Sequence, residues 1–136
     1  MAIQVGFHSF IHSPMVERDV GSNYRNLRVW HTAMALVVEV YRISQSFPHA
    51  EQFGLTSQLR RAAVAVPSNI AEGQCKSPRS FLHHISHSRG SLQELITLTV
   101  ITERRHYGVA GELAEIVKRA DREGALLFGL SRSVRV

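Results

Sequence analysis

Three closely spaced histidines are the residues of this chain best suited to metal chemistry. His83, His84 and His87 fall in one short segment. His83 and His87 stand four residues apart, a spacing that places both imidazoles on one side of a helix and can hold a metal ion. Two ligands alone are weak evidence, because many helices carry such a pair by chance. We therefore predict no metal ion and no cofactor.

Patterns for enzymatic chemistry are incomplete. Glu103 and His106 form one Glu-x-x-His, whereas di-iron bundles need that motif on two helices together with further glutamates. The sequence contains no Gly-x-Ser-x-Gly elbow, no Walker motif and no dinucleotide-binding glycine pattern. Cys75 is the only cysteine, which rules out an intrachain disulfide. The sequence predicts a protein that is not an enzyme.

Positive charge is the other feature with functional meaning. The chain has 16 Lys and Arg against 11 Asp and Glu, a net charge of +5. A basic surface attracts nucleic acid, although a solvated surface without function explains the charge as well. Arg104 and Arg105 are the preferred phosphate-binding pair, because Tyr107 adjoins them and offers a stacking ring. The candidate nucleic-acid-binding residues are Arg60, Lys76, Arg79, Arg104, Arg105, Lys118, Arg119 and Arg122.

The segment 58–73, QLRRAAVAVPSNIAEG, carries two different helical stripes. One is apolar and consists of Leu55, Leu59, Ala62, Ala63, Val66 and Ile70. The other is polar or small and consists of Gln58, Arg61, Ala65, Asn69 and Glu72. A helix with two such faces is expected to contact its own bundle and a second surface.

Arg61 is predicted to be a buried structural residue that pairs with Glu94, whereas Arg60 is predicted to point towards solvent. Gly90 lies on a second stripe of the third helix that suggests contact with a neighbouring subunit. The predicted structural and interface residues are Gln58, Arg61, Pro67, Asn69, Glu72, Gly90 and Glu94.

Apolar spacing predicts helices over 27–46, 56–72, 78–106 and 109–128. Predicted N-caps are Asn26, then Thr56 or Ser57, then Ser77 followed by Pro78 at the first helical position. Pro67 is expected to kink the second helix without ending it, and Gly73 to end it. The inner faces are expected to be Leu27, Trp30, Met34, Val37 and Tyr41, widened by Val38 and Val40, in the first helix, Phe81, Ile85, Ser88, Leu92, Leu95 and Thr99 in the third, and Leu113, Ile116, Val117, Ala120 and Leu127 in the fourth.

The chain divides into a tail and one domain. Residues 1–25 show no period and are predicted to be a partly disordered tail, and residues 26–131 are predicted to form a four-helix bundle domain. No apolar run approaches the roughly 18 residues that span a bilayer, and the N-terminus lacks a secretory pattern. We expect a cytoplasmic protein with no membrane contact.

Three segments together carry a family resemblance: LRVWHTAMALVVEVYRISQSFPHAEQFGLTSQ at 27–58, QLRRAAVAVPSNIAEG at 58–73 and RGSLQELIT at 89–97. They resemble the four-helix-bundle family encoded in the intervening sequences of 23S ribosomal RNA genes, and accessory proteins of diversity-generating retroelements are similar. The resemblance covers about residues 26–127. It implies an antiparallel up-down bundle that assembles into a pentameric ring, with no catalytic residues.

The resemblance also implies association with nucleic acid, and its retroelement branch suggests a reverse transcriptase or another ribonucleoprotein partner. Our functional expectation is a non-catalytic homo-oligomer, a homopentamer, that binds RNA or DNA or such a partner through its basic surface. The alternative is a protein–protein interaction scaffold with no nucleic-acid role.

Overall fold

The computed structural model describes residues 23–136 of the chain. These residues form α1 (Arg28–Ser44), α2 (Leu55–Gln74), α3 (Pro78–Arg104) and α4 (Ala110–Ser133), with 3-10 turns at Tyr24–Asn26 and His49–Glu51. They include no strand, so the predicted all-α class is confirmed. The predicted tail lies almost entirely outside the described residues.

One hydrophobic core joins the four helices. The most extensive helix contact is between α2 and α3, followed by α3 with α4, α1 with α2, and α1 with α4. Full burial of each large aliphatic side chain contributes about 1.5–3 kcal/mol before entropy is counted. The largest fully buried side chains within these helices are Leu36, Val40, Leu59, Val66, Ile70, Ile85, Leu92, Leu95, Thr99, Ile116 and Leu127.

The predicted inner face of α1 is wrong over most of its length. Met34 and Tyr41 are exposed, while Trp30 and Val37 are only partly buried at the edge of the core. The face that packs inward is Val29, Ala33, Leu36, Val40 and Ile43. Since α1 is apolar around most of its circumference, spacing alone allows two neighbouring stripes, and the packed one contains the small Ala33.

The predicted starts of the first two helices are also wrong. Leu27 occupies the N-cap of α1 without a side-chain cap, and Asn26 belongs to the preceding 3-10 turn. Gly54 occupies the N-cap of α2, so Thr56 and Ser57 lie within the helix. A carboxylate from the preceding 3-10 turn caps α2 instead. Glu51 Oε1 accepts a hydrogen bond of 3.1 Å from the Leu55 amide.

The start of α3 and its inner face agree with the sequence. Ser77 Oγ accepts a hydrogen bond of 3.2 Å from the Ser80 amide, and Pro78 is the first helical residue. All six predicted inner residues of α3 are buried, as are the six of the apolar stripe of α2. The helix ends at Arg104, two residues before the predicted end, and positive φ angles at His106 (61°) and Gly108 (72°) turn the chain towards α4.

Helix α2 continues through Pro67 to Gln74, as the resumed apolar pattern predicts. Next to the proline, Ser88 of α3 donates a buried hydrogen bond of 2.8 Å to the Val66 carbonyl. Gly73 does not end the helix. It is buried against α3, where a Cβ atom would lie 2.6 Å from the Cβ of His84, so only glycine permits this approach.

Helix α4 extends five residues beyond its predicted end, to Ser133, because Gly124 and Gly129 do not interrupt it. Of the predicted inner residues only Val117 is half-buried; the others are buried. The helix also buries Glu123, which the sequence analysis did not single out.

Candidate nucleic-acid interface

An exposed aromatic ring between two arginines lies on the face shared by α3 and α4. The guanidinium carbon of Arg89, on α3, is 5.1 Å from the centroid of the Phe128 ring. Arg132, one turn further along α4, lies 5.8 Å from the same centroid. Both distances fall within the roughly 6 Å of a cation–π contact. Because Phe128 keeps 46% of its surface exposed, a planar ligand has access to the ring.

The ring borders a groove of about 520 Å³. Two glycines keep it open. A Cβ atom at Gly90 would have no neighbour within 4 Å, and one at Gly124 would meet only Leu92, at 3.9 Å. The groove carries one negative charge, on Asp121. Its lining residues are Ser86, Arg89, Gly90, Leu92, Gln93, Ala120, Asp121, Gly124, Ala125 and Phe128.

The sequence analysis missed this site. The only aromatic residue that it placed beside basic residues was Tyr107. Arg89 and Phe128 are 39 residues apart, and only the packing of α3 on α4 brings them together. The one local signal is the spacing of Phe128 and Arg132, which places both side chains on one helical face.

Arg104 and Arg105 lie at the end of α3 and are both exposed. Arg105 donates a hydrogen bond of 3.1 Å to the Tyr107 hydroxyl, which raises the pKa of the guanidinium. Tyr107 is half-buried: its hydroxyl donates to Glu51 at 3.3 Å and its ring lies 6.5 Å from that of Phe47. The tyrosine is therefore held against the core, and its ring is less accessible than that of Phe128.

Arg79 and Lys76 lie around the opposite end of α3. The exposed Lys76 forms an ion pair of 3.3 Å with Glu72, and its Nζ lies 3.4 Å from Nε2 of His84. Arg79 and Arg104 are 25 residues apart on one helix, which separates them by about 37 Å at 1.5 Å per residue. The predicted basic residues therefore do not form one compact patch.

The three predicted basic residues of the fourth helix lie in two different environments. Lys118 and Arg122 are exposed, one turn apart. Arg119 is half-buried and acts electrostatically on two carboxylates. The hydrogen bond from Arg42 is the main cause that lowers the pKa of Glu39, and Arg119 adds a smaller effect in the same direction. Burial raises the pKa of Glu123, and Arg119 opposes that rise. Lys118 and Arg122 remain available to a ligand, whereas part of the charge of Arg119 is balanced within the chain.

A comparison with protein-family models matches residues 25–129 to the family described as 23S rRNA-intervening sequence protein. The chain belongs to this family. The resemblance seen in the sequence is thereby confirmed for its main family. A comparison with curated proteins finds no match. The matched region of the 23S rRNA-intervening sequence protein family includes Arg89 and Phe128, and Arg132 lies three residues beyond it.

The two neighbouring arginines of α2, both inside the region matched to the family, have environments opposite to those predicted. Arg60 is half-buried, donates a hydrogen bond of 2.8 Å to Ser44 Oγ and places its guanidinium carbon 4.6 Å from the centroid of the Tyr41 ring. Arg61 is exposed and contacts Ser57 at 3.3 Å. Arg60 joins α2 to α1, because α1 crosses α2 on the side where Arg60 projects.

The predicted ion pair between Arg61 and Glu94 does not form within the described residues, whose only ion pairs within 4.0 Å involve Arg42 and Lys76. Both residues are exposed and line one groove of about 580 Å³ between α2 and α3. Gln58 and Phe53 line the same groove, and Phe53 exposes 90% of its surface.

Asn69, another predicted interface residue, links helices of the same chain. Its amide nitrogen donates to the Ala65 carbonyl at 2.9 Å, and its Oδ1 lies 3.0 Å from Nδ1 of His84 on α3. Glu72 is exposed and engaged by Lys76. Of the polar stripe, Gln58, Arg61 and Glu72 thus remain at the surface.

Glu123 is the one carboxylate in the core of the family region. It is 2% exposed. Its Oε1 accepts a hydrogen bond of 2.5 Å from the Thr32 hydroxyl of α1, and its Oε2 has no hydrogen-bond partner among residues 23–136. Burial raises its pKa to about 7, against the opposing influence of Thr32, Arg119 and Arg28.

No helix among residues 23–136 combines the length and the apolar character needed to cross a membrane.

Proposed function

We propose that this member of the 23S rRNA-intervening sequence protein family is a non-catalytic homo-oligomer that binds nucleic acid, alone or within a ribonucleoprotein. The observation that carries the proposal is the Phe128 ring flanked by Arg89 and Arg132 beside an open groove. The family description, which names 23S rRNA, is consistent with an RNA-related role.

The chemistry of this site favours single strands. A base stacked on an aromatic ring contributes about 1–3 kcal/mol to binding, and every base has a face that can stack. A duplex offers no free base face, whereas an unpaired base can enter the groove while the guanidiniums of Arg89 and Arg132 attract the adjoining phosphates. We expect binding that tolerates any sequence and accepts RNA and DNA alike.

The remaining basic residues supply attraction over a longer range. Most of the predicted set is exposed and distributed over both ends of α3 and the surface of α4, comprising Lys76, Arg79, Arg104, Arg105, Lys118 and Arg122. Each contact with a phosphate releases a counterion, so affinity is expected to fall steeply as salt rises. In a ring of identical chains this positive charge is multiplied.

The contacts within the chain support an antiparallel up-down bundle. Val66 contacts Ser88 and Gly73 contacts His84, so a later residue of α2 meets an earlier residue of α3. The same reversal holds between α1 and α4, where Thr32 meets Glu123 and Arg42 meets Glu112.

The groove between α2 and α3 supports assembly with further copies. Phe53 is almost fully exposed there, and Arg61 and Glu94 line the groove with no ion pair between them. A second copy would cover the ring and bring partners to both charges, since oligomer interfaces are enriched in aromatic residues and arginine. The number five, and a reverse transcriptase as partner, rest on the family resemblance.

Two measurements test the proposal. Light scattering at micromolar concentration should give a mass close to five chains; a stable monomer of about 15 kDa would contradict assembly. Fluorescence anisotropy with a mixed-sequence single strand should show binding that weakens with salt. No binding at about 10 μM protein and about 50 mM salt, where non-specific contacts normally occur, would contradict the nucleic-acid role.

The second candidate function is a protein–protein interaction scaffold, and the exposure of Phe53 favours it. Under this alternative the groove between α2 and α3 receives another protein, and the positive charge has no ligand. The two functions separate in one experiment. A scaffold binds no oligonucleotide at low salt, whereas a nucleic-acid binder does so whether or not its Phe53 groove is occupied.

A further inference from the structure

Two exposed histidines of α3 bring one ring nitrogen each into close contact. The Nε2 atoms of His83 and His87 are 3.1 Å apart. The two rings lie nearly perpendicular, at 80°, with centroids separated by 4.5 Å. Spacing in the sequence alone does not distinguish this pair from a chance one, because it does not say which ring atoms meet. The structure supplies that observation.

A separation of 3.1 Å suits one metal ion held by both nitrogens. Bonds of about 2.0–2.1 Å to imidazole place two ligand nitrogens about 2.9–3.4 Å apart when the bond angle lies between about 90° and 110°. The observed separation of 3.1 Å falls within this range. Without a metal, the same arrangement requires one ring to donate its Nε2 proton to an unprotonated Nε2 of the other.

We propose that His83 and His87 form a two-histidine site for a first-row transition-metal dication, with zinc as the physiological example. Imidazole nitrogen suits zinc, nickel and copper, whereas magnesium and calcium prefer oxygen ligands. Water completes the coordination, because no group of three or more His, Cys, Asp or Glu suitable for a metal occurs among residues 23–136.

The neighbouring His84 provides an internal control. Its Nδ1 lies 3.0 Å from Oδ1 of Asn69 and its Nε2 lies 3.4 Å from Nζ of Lys76, so both ring nitrogens are engaged away from the pair. Of three histidines within one helical turn and a half, two converge and one does not. A metal ion held by His83 and His87 should therefore leave His84 without a bond to the metal.

The test is zinc titration of the full chain without an affinity tag, followed by calorimetry. The starting protein carries Cys75→Ser, because the exposed thiol is itself a zinc ligand. His83→Ala and His87→Ala should each weaken zinc binding at least about tenfold, since losing a ligand costs no less than losing a residue that orients one. His84→Ala should change the affinity less than about twofold.

A second readout is the imidazole nitrogen NMR spectrum during the titration. Zinc should shift the Nε2 resonances of His83 and His87 and leave those of His84 in place. Equal affinity of the starting protein and His83→Ala would overturn the proposal. So would an absence of binding up to about 1 mM zinc, which corresponds to less than about 4 kcal/mol of binding free energy.

Discussion

Helices α2 and α4 both pack on α3, but they do so in different ways. On the α2 side, Gly73 brings the backbones together and Ser88 satisfies the Val66 carbonyl, so the interface is closed. On the α4 side, Gly90 and Gly124 leave a groove. Helix α4 also buries the carboxylate of Glu123 against Thr32 of α1, and the Oε2 atom has no hydrogen-bond partner among residues 23–136. The comparison indicates that the α2 side supplies tight packing, whereas the α4 side gives up some stability and keeps room for a ligand.

The largest expected effect concerns the buried carboxylate of the α4 side. The pKa of Glu123 is raised to about 7 in the folded chain from an ordinary value of 4.5. Below pH 4.5 the Glu123 carboxyl is neutral in both the folded and the unfolded chain, so its ionisation does not lower the stability. Between pH 4.5 and 7, Glu123 keeps its proton in the folded chain but loses it in the unfolded chain. Each rise in pH over this range therefore favours unfolding. Stability should fall by roughly 3 kcal/mol between pH 4.5 and 7 because of this residue.

Denaturant unfolding across that range, with Glu123→Gln beside the natural chain, measures this contribution. The amide stays neutral at every pH and keeps the size of the side chain. The difference in unfolding free energy between the two proteins should therefore change with pH in favour of the variant. A constant difference would show that the pKa of Glu123 is the same in the folded and unfolded chain, which contradicts the raised value.

The next effect compares the glycines of the two sides. Gly73→Ala places a Cβ atom 2.6 Å from that of His84, so α2 and α3 must separate. We expect a loss of about 2 kcal/mol, as for other overpacked sites. Gly90→Ala meets nothing within 4 Å and should stabilise α3 by about 0.5–1 kcal/mol. Thermal unfolding of Gly73→Ala and Gly90→Ala checks both expectations. Equal shifts of the two melting temperatures would show that the α2 and α4 sides of α3 are packed alike.

A smaller effect separates the two arginines of α2. Arg60→Ala removes the hydrogen bond to the buried Ser44 and the contact with Tyr41, which should cost about 1–2 kcal/mol. Arg61→Ala should change the stability of a single chain by less than about 0.5 kcal/mol. Urea unfolding compares them. If Arg61→Ala proves the more damaging, another subunit covers Arg61 in the assembly.

The buried faces of α2 and α3 could be predicted from the sequence, because polar residues lie on both sides of each apolar stripe. It failed for α1, where apolar residues surround the helix and two stripes compete. Glu123 lies on the same helical face as Ile116, Ala120 and Leu127, so its burial could have been predicted from the spacing. Its raised pKa is a consequence of burial, which the spacing does not show.

The arginines of α2 and the Phe128 site required the structure for another reason. Whether Arg60 or Arg61 is covered depends on where α1 crosses α2, and no local pattern determines this crossing. The contact of Arg89 with Phe128 likewise joins residues 39 positions apart on two helices. The Ser77 cap and the continuation of α2 through Pro67 were predictable, because both depend on neighbouring residues and on a pattern that resumes after the proline.

The most direct test of the nucleic-acid proposal is the affinity of Phe128→Ala for a labelled single strand, measured by fluorescence anisotropy at low salt. Loss of the stacking face should weaken binding roughly tenfold, in line with about 1–3 kcal/mol per stacked base. Val38→Ala is the control, since Val38 is an exposed apolar residue of α1 that lines neither groove and offers no ring on which a base can stack.

Light scattering should first establish that both variants assemble like the natural chain. Binding should then be weakened in Phe128→Ala and unchanged in Val38→Ala. Equal affinities of Phe128→Ala and the natural chain would contradict it.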